Sequence, residues 1–157
     1  MVDSGDLVDL EDLVDAVCTY CGAFVDLHVS TRERAVKKIR VMLVDDNTSY
    51  RQRMARLLQT QVDLEVVGEA GEGQEAVARA RELQPDVILI DFRMTGLDGY
   101  TAARAIVKEL PQAKVFMLTA FPGALDPEKV AHSGLQGLLV KDQPAIEIIE
   151  AIRNSVG

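Results

Sequence analysis

The sequence predicts an α/β protein in which five β-then-α units form a doubly wound sandwich around one parallel sheet. From Ile39 onward, apolar runs of strand length alternate with segments of helical spacing. The runs are continuously apolar, which is typical of strands covered on both faces. Pro85 and Pro111 end two of the helical patterns just before a new apolar run. Together these patterns indicate repeated βα units, whose right-handed crossovers limit the possible topologies.

The five predicted strands are short and rich in Val, Ile and Leu. In chain order they are Ile39–Val44, Leu64–Val67, Val87–Ile90, Val115–Leu118 and Gly137–Val140. Gly68, Gly71 and Gly73 follow the second run but do not fit a dinucleotide-binding fingerprint, so we expect them to be turn residues.

The predicted helices each carry one apolar face. The residues expected to point inward are Met54, Leu57 and Leu58 in the first helix, Ala76, Val77, Ala80 and Leu83 in the second, Ala103, Ile106, Val107 and Leu110 in the third, and Ile146, Ile149 and Ile152 in the last. Asn47, Thr48 and Ser49 are N-cap candidates for the first helix. Asp98 is interpreted as a turn residue before Gly99 rather than as a ligand.

Length and charge indicate one domain behind an acidic extension. The chain has 157 residues and a formal charge of −8, and its first 30 residues hold seven acids and no Lys or Arg. The remaining residues are nearly neutral, which gives no electrostatic reason to expect nucleic-acid binding. No apolar run approaches the ~18 residues needed to span a bilayer, and no signal peptide opens the chain. We therefore expect a soluble cytoplasmic protein that binds neither nucleic acid nor membrane.

Residues 1–34 are predicted to be the extension and residues 35–157 the domain. Apolar residues recur in the extension at steps of three and four: Leu7, Leu10, Val14, Val17, Cys21 and Phe24. This spacing favours an amphipathic helix, whereas two glycines and a short length favour a disordered tail, and both alternatives stay open. Cys18 and Cys21 lack the four ligands of a structural zinc site and are interpreted as two reduced thiols.

Polar residues stand where four of the apolar runs stop, and ligands in such sheets bind beyond the carboxyl ends of the strands. These residues are Asp45, Asp46, Asp91, Thr119 and Lys141. Clustered carboxylates repel one another, and a hard divalent cation such as Mg²⁺ relieves that repulsion. A hydroxyl and an ammonium both suit a phosphoryl group. The set predicts phosphoryl transfer to a carboxylate nucleophile.

Four stretches resemble the successive motifs of response-regulator receiver domains of bacterial two-component systems. They are VMLVDD (41–46), VILIDFRMTGLDG (87–99), VFMLTA (115–120) and GLLVKD (137–142). The resemblance covers about residues 39–156, and its wording is most similar to receivers of regulators with a helix-turn-helix output. It implies a flavodoxin-like (βα)5 fold with strand order 2-1-3-4-5 and a part in phosphorelay signalling.

The resemblance also implies a role for each matching residue at the acidic end of the site. Asp91 would be the phosphoacceptor. Mg²⁺ (or Mn²⁺) would be held by Asp45, Asp46 and Asp91 together with the backbone carbonyl of Arg93, and Asp45 would act mainly through water.

The remaining matching residues would bind the phosphoryl group. Thr119 and the backbone amide of Ala120 would hold its oxygens, and Lys141 would pair with Asp91 at rest and with the phosphoryl group after transfer. Leu138 stands at the switch position where many receivers carry Tyr or Phe, so a hydroxyl contact from that position is lost.

Three other positions near the site bear on the lifetime and mobility of the phosphorylated form. Thr95 replaces the proline usual in the loop after the phosphoacceptor, which should loosen that loop. Arg93 and Phe121 occupy positions that tune autodephosphorylation in the family. Because Phe121 is bulky and apolar, we expect it to hinder an attacking water and to slow the decay of the phosphorylated form.

The expected function is a phosphorylation-dependent switch, not an enzyme beyond its own phosphotransfer and autodephosphorylation. The implied partners are a sensor histidine kinase or phosphotransfer protein, and a downstream protein effector or second copy bound through the face of the fourth helix, fifth strand and fifth helix. One alternative is the receiver half of a DNA-binding transcriptional regulator whose helix-turn-helix domain is absent from this chain. Another is an unphosphorylated pseudo-receiver that acts as a binding module. An Asp-nucleophile phosphatase is disfavoured because Arg93 stands where a general acid is wanted.

Overall fold

A computed structural model describes residues 37–157 of the chain. The predicted acidic extension, with its helical spacing and its Cys18–Cys21 pair, lies outside the described residues. Within them, no helix is both long and apolar enough to cross a membrane.

Five strands and five helices alternate along the described chain. The strands are β1 Ile39–Val44, β2 Leu64–Ala70, β3 Val87–Asp91, β4 Lys114–Thr119 and β5 Gly137–Val140. The helices are α1 Thr48–Gln59, α2 Gly73–Leu83, α3 Gly99–Glu109, α4 Pro127–His132 and α5 Ala145–Val156, and a short 3₁₀ turn at Pro122–Ala124 precedes α4.

The strands form one parallel sheet in the order β2-β1-β3-β4-β5, which confirms the predicted fold class and strand order. The order reverses between β1 and β3, because the chain leaves β1 towards one edge and returns to the other side of it. The carboxyl ends of β1 and β3 therefore flank the switch point, where such sheets bind their ligands.

Each face of the sheet is buried by its own set of helices, which explains the continuous apolar runs. Val41 and Leu43 of β1 belong to the core that includes side chains of α1 and α5. Met42 and Val44 point the other way, into the core that includes side chains of α2, α3 and α4. Because successive strand residues face opposite sides, a strand covered on both faces must be apolar throughout.

Three expectations about local structure are wrong. Gly73 is not a turn residue but the buried first residue of α2. Gly68 lies inside β2, which runs to Ala70, beside a register irregularity of the β1–β2 pairing. A Cβ on Gly68 would meet Leu83 Cδ1 of α2, the far end of a side chain that can turn aside, so the glycine is a strand residue packed against α2 and not a turn residue. Ile146 is 54% exposed, whereas Ile148 is buried. Helical steps of three residues drift by about 60° each, which carries Ile146 off the face that the later isoleucines of α5 bury.

Helix capping follows the sequence more closely. The side chain of Asn47 caps α1 by accepting a hydrogen bond from the Tyr50 amide at 3.0 Å. Asp98 caps α3 in the same way, accepting from the Thr101 amide at 2.9 Å, and is thus not part of the acidic cluster described below. These caps satisfy backbone donors at the helix starts and fix where the strand-to-helix loops end.

Candidate functional site

Four strand ends bring the predicted polar residues together at one rim of the sheet. Asp45 follows β1 directly, Asp91 is the last residue of β3, and Thr119 is the last residue of β4. Lys141 follows β5, and its amide donates to the Thr119 carbonyl at 2.8 Å. The sheet register, rather than any local sequence feature, thus gathers side chains that are up to 96 residues apart.

Three carboxylates form a cluster at the β1 and β3 ends. One oxygen from each of Asp45, Asp46 and Asp91 lies within 4.8 Å of the other two. Asp45 and Asp91 are buried, while Asp46 is exposed. One further contact holds Asp45 in place, since its Oδ1 accepts a hydrogen bond from the Asn47 amide at 2.8 Å. The cluster therefore combines two fixed, buried acids with one that faces solvent.

Lys141 forms ion pairs with both buried acids. Its Nζ lies 2.5 Å from Asp45 Oδ2 and 3.3 Å from Asp91 Oδ2, and its side chain is only 14% exposed. The predicted pairing of Lys141 with Asp91 is present, but the shorter contact is to Asp45. A single ammonium between two carboxylates leaves the cluster net negative, even before the charge of Asp46 is added.

The surroundings of Asp91 disfavour its charged form. Burial raises the pKa of Asp91, and the neighbouring charge of Asp45 raises it further. The Lys141 ammonium and the Arg93 amide, which donates to Asp91 Oδ1 at 3.3 Å, lower the pKa but only in part offset the rise. Any group that brings positive charge to the site would therefore stabilise the ionised form of this carboxylate.

The raised pKa of Asp91 predicts that this side chain destabilises the fold at neutral pH, and that an uncharged side chain in its place would remove the effect. A carboxyl group whose pKa is raised in the folded state keeps its proton after the unfolded chain has lost it, so stability falls as pH rises above the ordinary Asp value of about 4. Asp91→Asn should therefore raise the urea midpoint at pH 7 in the presence of a chelator, and the gain should shrink towards pH 4. Unfolding curves of both chains across this range would contradict the expectation if the midpoint difference were constant or reversed.

The Thr119 hydroxyl is engaged within its own loop. Thr119 Oγ1 donates to the Phe121 carbonyl and accepts from the Phe121 amide, each at 3.0 Å. The hydroxyl therefore has a satisfied donor, and it must release the Phe121 carbonyl before it can donate to a ligand at the rim. Ala120, the next residue along, is exposed.

Two side chains stack at the mouth of the site. The Arg93 guanidinium carbon lies 5.1 Å from the centre of the Phe121 ring, within the range of a cation–π contact. Both residues are exposed, and Phe121 retains 58% of its accessible surface. The pair joins the loop after β3 to the loop after β4. Arg93 lies two residues after Asp91, and Phe121 lies two residues after Thr119.

Leu138 lies in β5 opposite Met117 and packs, half-buried, against the core on the α2–α3–α4 side of the sheet. An aliphatic side chain there fills space against the core and offers no hydrogen bond. It therefore cannot report a change at Thr119 through a hydroxyl.

Sequence reasoning missed three residues that shape the site. The Tyr50 ring lies beneath the Lys141 ammonium, 4.5 Å from Nζ to the ring centre. Arg51 donates to the carbonyl of Asp45 at 2.5 Å. A Cβ on Gly99 would fall 1.7 Å from the carbonyl oxygen of Asp91. Tyr50 and Arg51 could have been found from the sequence, because both lie in the first turn of the helix that follows Asp45 and Asp46. The role of Gly99 could not, because it depends on how closely α3 approaches β3 in the folded chain.

Comparisons with known proteins agree with this geometry. Residues 41–153 match the family model described as the response regulator receiver domain. The response regulator protein VraR of Staphylococcus aureus is 41% identical over 117 residues, which is 74% of this chain and 56% of VraR. The chain thus spans a little over half the length of this curated relative.

Solved structures give the same result. The signal receiver domain of NarL from Mycobacterium tuberculosis superposes with a TM-score of 0.71 at 32% identity, covering 77% of this chain and 98% of that one. A LuxR-family two-component response regulator from Aurantimonas sp. superposes with a TM-score of 0.70 at 30% identity, covering 74% and 84%.

Proposed function

The chain belongs to the response regulator receiver family of two-component systems, and from this membership we propose that it accepts a phosphoryl group on Asp91. The donor is a phosphohistidine of a sensor histidine kinase or of a phosphotransfer protein. The modification changes which protein partner the domain binds, through a downstream effector or a second copy at the α4–β5–α5 face.

One observation carries the assignment to Asp91. It is a carboxylate at the carboxyl end of the central strand β3, with an ammonium 3.3 Å away and two further acids within 4.8 Å. Asp45 is more tightly engaged, by Lys141 and by the Asn47 amide, and Asp46 is exposed and lacks the contact to lysine. Asp91 is thus the acid that is both buried and on the central strand, and its contact to Lys141 is longer than that of Asp45.

The donor set fits a hard divalent cation such as Mg²⁺. Carboxylate oxygens from three residues converge, and Asp46 keeps an open side to solvent where water ligands can remain. Asp45, Asp46, Asp91 and the carbonyl of Arg93 would hold the ion. When bound, it would neutralise charge on the phosphoryl oxygens and the acids.

The protein's own residues position the phosphoryl group and neutralise its charge. An oxygen of Asp91 forms the new bond to phosphorus as the bond from phosphorus to the donor's nitrogen breaks, and the electron pair of that bond stays with the donor. Lys141 then has a phosphoryl oxygen as a partner in place of the Asp91 carboxylate. Thr119 releases the Phe121 carbonyl and donates to another phosphoryl oxygen, beside the Ala120 amide. Such transfer needs little covalent help from the protein beyond this placement.

Incubation with acetyl phosphate and Mg²⁺ followed by intact mass spectrometry tests the proposal. The whole chain should gain one phosphoryl group, and a chelator should prevent the gain. A chain that gains nothing with acetyl phosphate or with a panel of purified phosphorylated kinases would instead support the pseudo-receiver, a binding module that is never phosphorylated.

A second candidate function is the receiver half of a DNA-binding regulator. It is supported by the 41% identity to VraR over only 56% of that protein, and by the likeness to a LuxR-family regulator. The reading frame of the gene beyond the codon for Gly157 discriminates the two, since a following helix-turn-helix module would make transcription the output.

The Arg93–Phe121 stack predicts a slowly decaying phosphorylated form. Hydrolysis needs a water in line with the Asp91–phosphorus bond, and the stacked pair joins the loops that directly follow Asp91 and Thr119. Phe121→Ala should therefore speed loss of the phosphoryl group several-fold without changing its gain from acetyl phosphate. A phosphate-release time course with decay of the unmodified chain within seconds, or with no acceleration in the variant, would contradict the prediction.

A further inference from the structure

We propose that Tyr50 is a positioning residue for phosphoryl transfer, whose ring face holds the Lys141 ammonium at the rim of the sheet. The inference rests on the proposed function and adds to it a residue from the first turn of α1. It explains how one lysine can serve two acids at rest and a phosphoryl group later without leaving the site.

The contact geometry is that of a cation–π interaction. Lys141 Nζ lies 4.5 Å from the centre of the Tyr50 ring, within the ~6 Å over which the ring quadrupole attracts a cation. The ammonium donates a hydrogen bond to Asp45 Oδ2, and Asp91 Oδ2 lies 3.3 Å away as its second ion-pair partner. The ring thus provides the third side of the ammonium's surroundings, at a side chain that is only 14% exposed. Such an interaction strengthens as water is excluded.

The backbone of Tyr50 is fixed independently of Lys141. Its amide donates to the Asn47 side chain that caps α1, and Asn47 in turn donates through its own amide to Asp45. The ring packs, half-buried, against the core that includes side chains of α1 and α5. Asp45, the Asn47 cap and the Tyr50 ring are therefore connected to one another, and Lys141 contacts this unit from the end of β5.

The ring, rather than the hydroxyl, is the functional part. Among the described residues, Tyr50 Oη is buried and has no hydrogen-bond partner. Burial and the nearby carboxylate of Asp45 raise the pKa of Tyr50 to about 12, so the phenol stays neutral at working pH. A neutral aromatic face is a contact whose strength does not depend on the charge of the acids. Lys141 therefore keeps one fixed neighbour while the charge on Asp91 changes.

Two substitutions at the same position separate ring from hydroxyl. Tyr50→Phe keeps the ring and should retain most of the initial rate of phosphorylation by acetyl phosphate. Tyr50→Leu keeps apolar volume but has no π face, and it should lower that rate about three- to thirtyfold, the range that cation–π energies allow. Leu57→Ala is the matched control, since Leu57 packs from α1 against the same core and should leave the rate unchanged. Tyr50→Leu at the wild-type rate, or Tyr50→Phe as slow as Tyr50→Leu, would overturn the proposal.

Urea unfolding of the whole chain supplies a readout that does not depend on phosphorylation. A double-mutant cycle of Tyr50→Leu and Lys141→Met should be non-additive, by a factor of about three to thirty in the unfolding equilibrium constant. Additive effects would overturn the contact itself. A wild-type chain that takes no phosphoryl group would overturn the proposed function and any role of Tyr50 in transfer, while a non-additive cycle would still establish the contact. The two failures are thus distinguishable.

Discussion

Asp91→Asn should abolish the phosphoryl gain from acetyl phosphate and Mg²⁺. The carboxamide has the size and shape of the carboxylate, so the fold around β3 should persist, but it lacks the anionic oxygen that bonds to phosphorus. It also removes one of the three acids that would hold a cation. Intact mass spectrometry at saturating acetyl phosphate should show a fully unmodified variant beside a modified wild-type chain.

The matched control for this loss is Asp142→Asn. Asp142 is also an aspartate beyond a strand end, directly after Lys141, but it is exposed and lies outside the carboxylate cluster. It should be phosphorylated like the wild type. If Asp91→Asn still gained a phosphoryl group, peptide mapping would place it on another side chain, and a position at Asp45 or Asp46 would refute the assignment of Asp91.

The fold can be predicted from the sequence because the pattern of apolar residues along each element shows which of its faces are buried. The strands of a sheet covered on both faces must be apolar throughout, so β1 and β3 were found from their runs of Val, Ile and Leu. The strand ends then located Asp45, Asp91 and Thr119, because an apolar run stops where the chain meets the rim. The strand ends differ from the prediction by one residue, since Asp91 and Thr119 are the last residues of β3 and β4 and not the first residues beyond them.

Contacts across the sheet were less accessible to sequence reasoning. Nothing local to Lys141 states that its ammonium lies closer to Asp45 than to Asp91, or that Tyr50 lies beneath it. These distances depend on the register of β5 against β4 and on the packing of α1. The hydrogen bonds of Thr119 to its own loop are likewise a choice between rotamers, which spacing in the sequence does not encode.

Gly99 illustrates a constraint that only the folded chain reveals, and it predicts the largest loss of stability. The first residue of α3 approaches the end of β3 so closely that an added Cβ would lie 1.7 Å from the Asp91 carbonyl oxygen and 2.8 Å from its carbonyl carbon. Both obstacles are backbone atoms, so no side-chain rotation can relieve the overlap. The Gly99 amide also donates to the Phe92 carbonyl at 3.2 Å, which ties the helix start to the strand.

Gly99→Ala should therefore lower the free energy of unfolding by roughly 3–5 kcal/mol, more than the ~1–3 kcal/mol typical of overpacking because backbone has to move, or prevent folding. Gly123→Ala is the control, because no atom lies within 4 Å of its added Cβ, and it should change stability by less than about 0.5 kcal/mol. Urea unfolding followed by circular dichroism measures both. A Gly99→Ala chain with the wild-type midpoint would refute the close approach of α3 to β3. A variant that does fold must shift the start of α3 relative to the end of β3, which carries Asp91, so we expect its rate of phosphorylation to fall together with its stability.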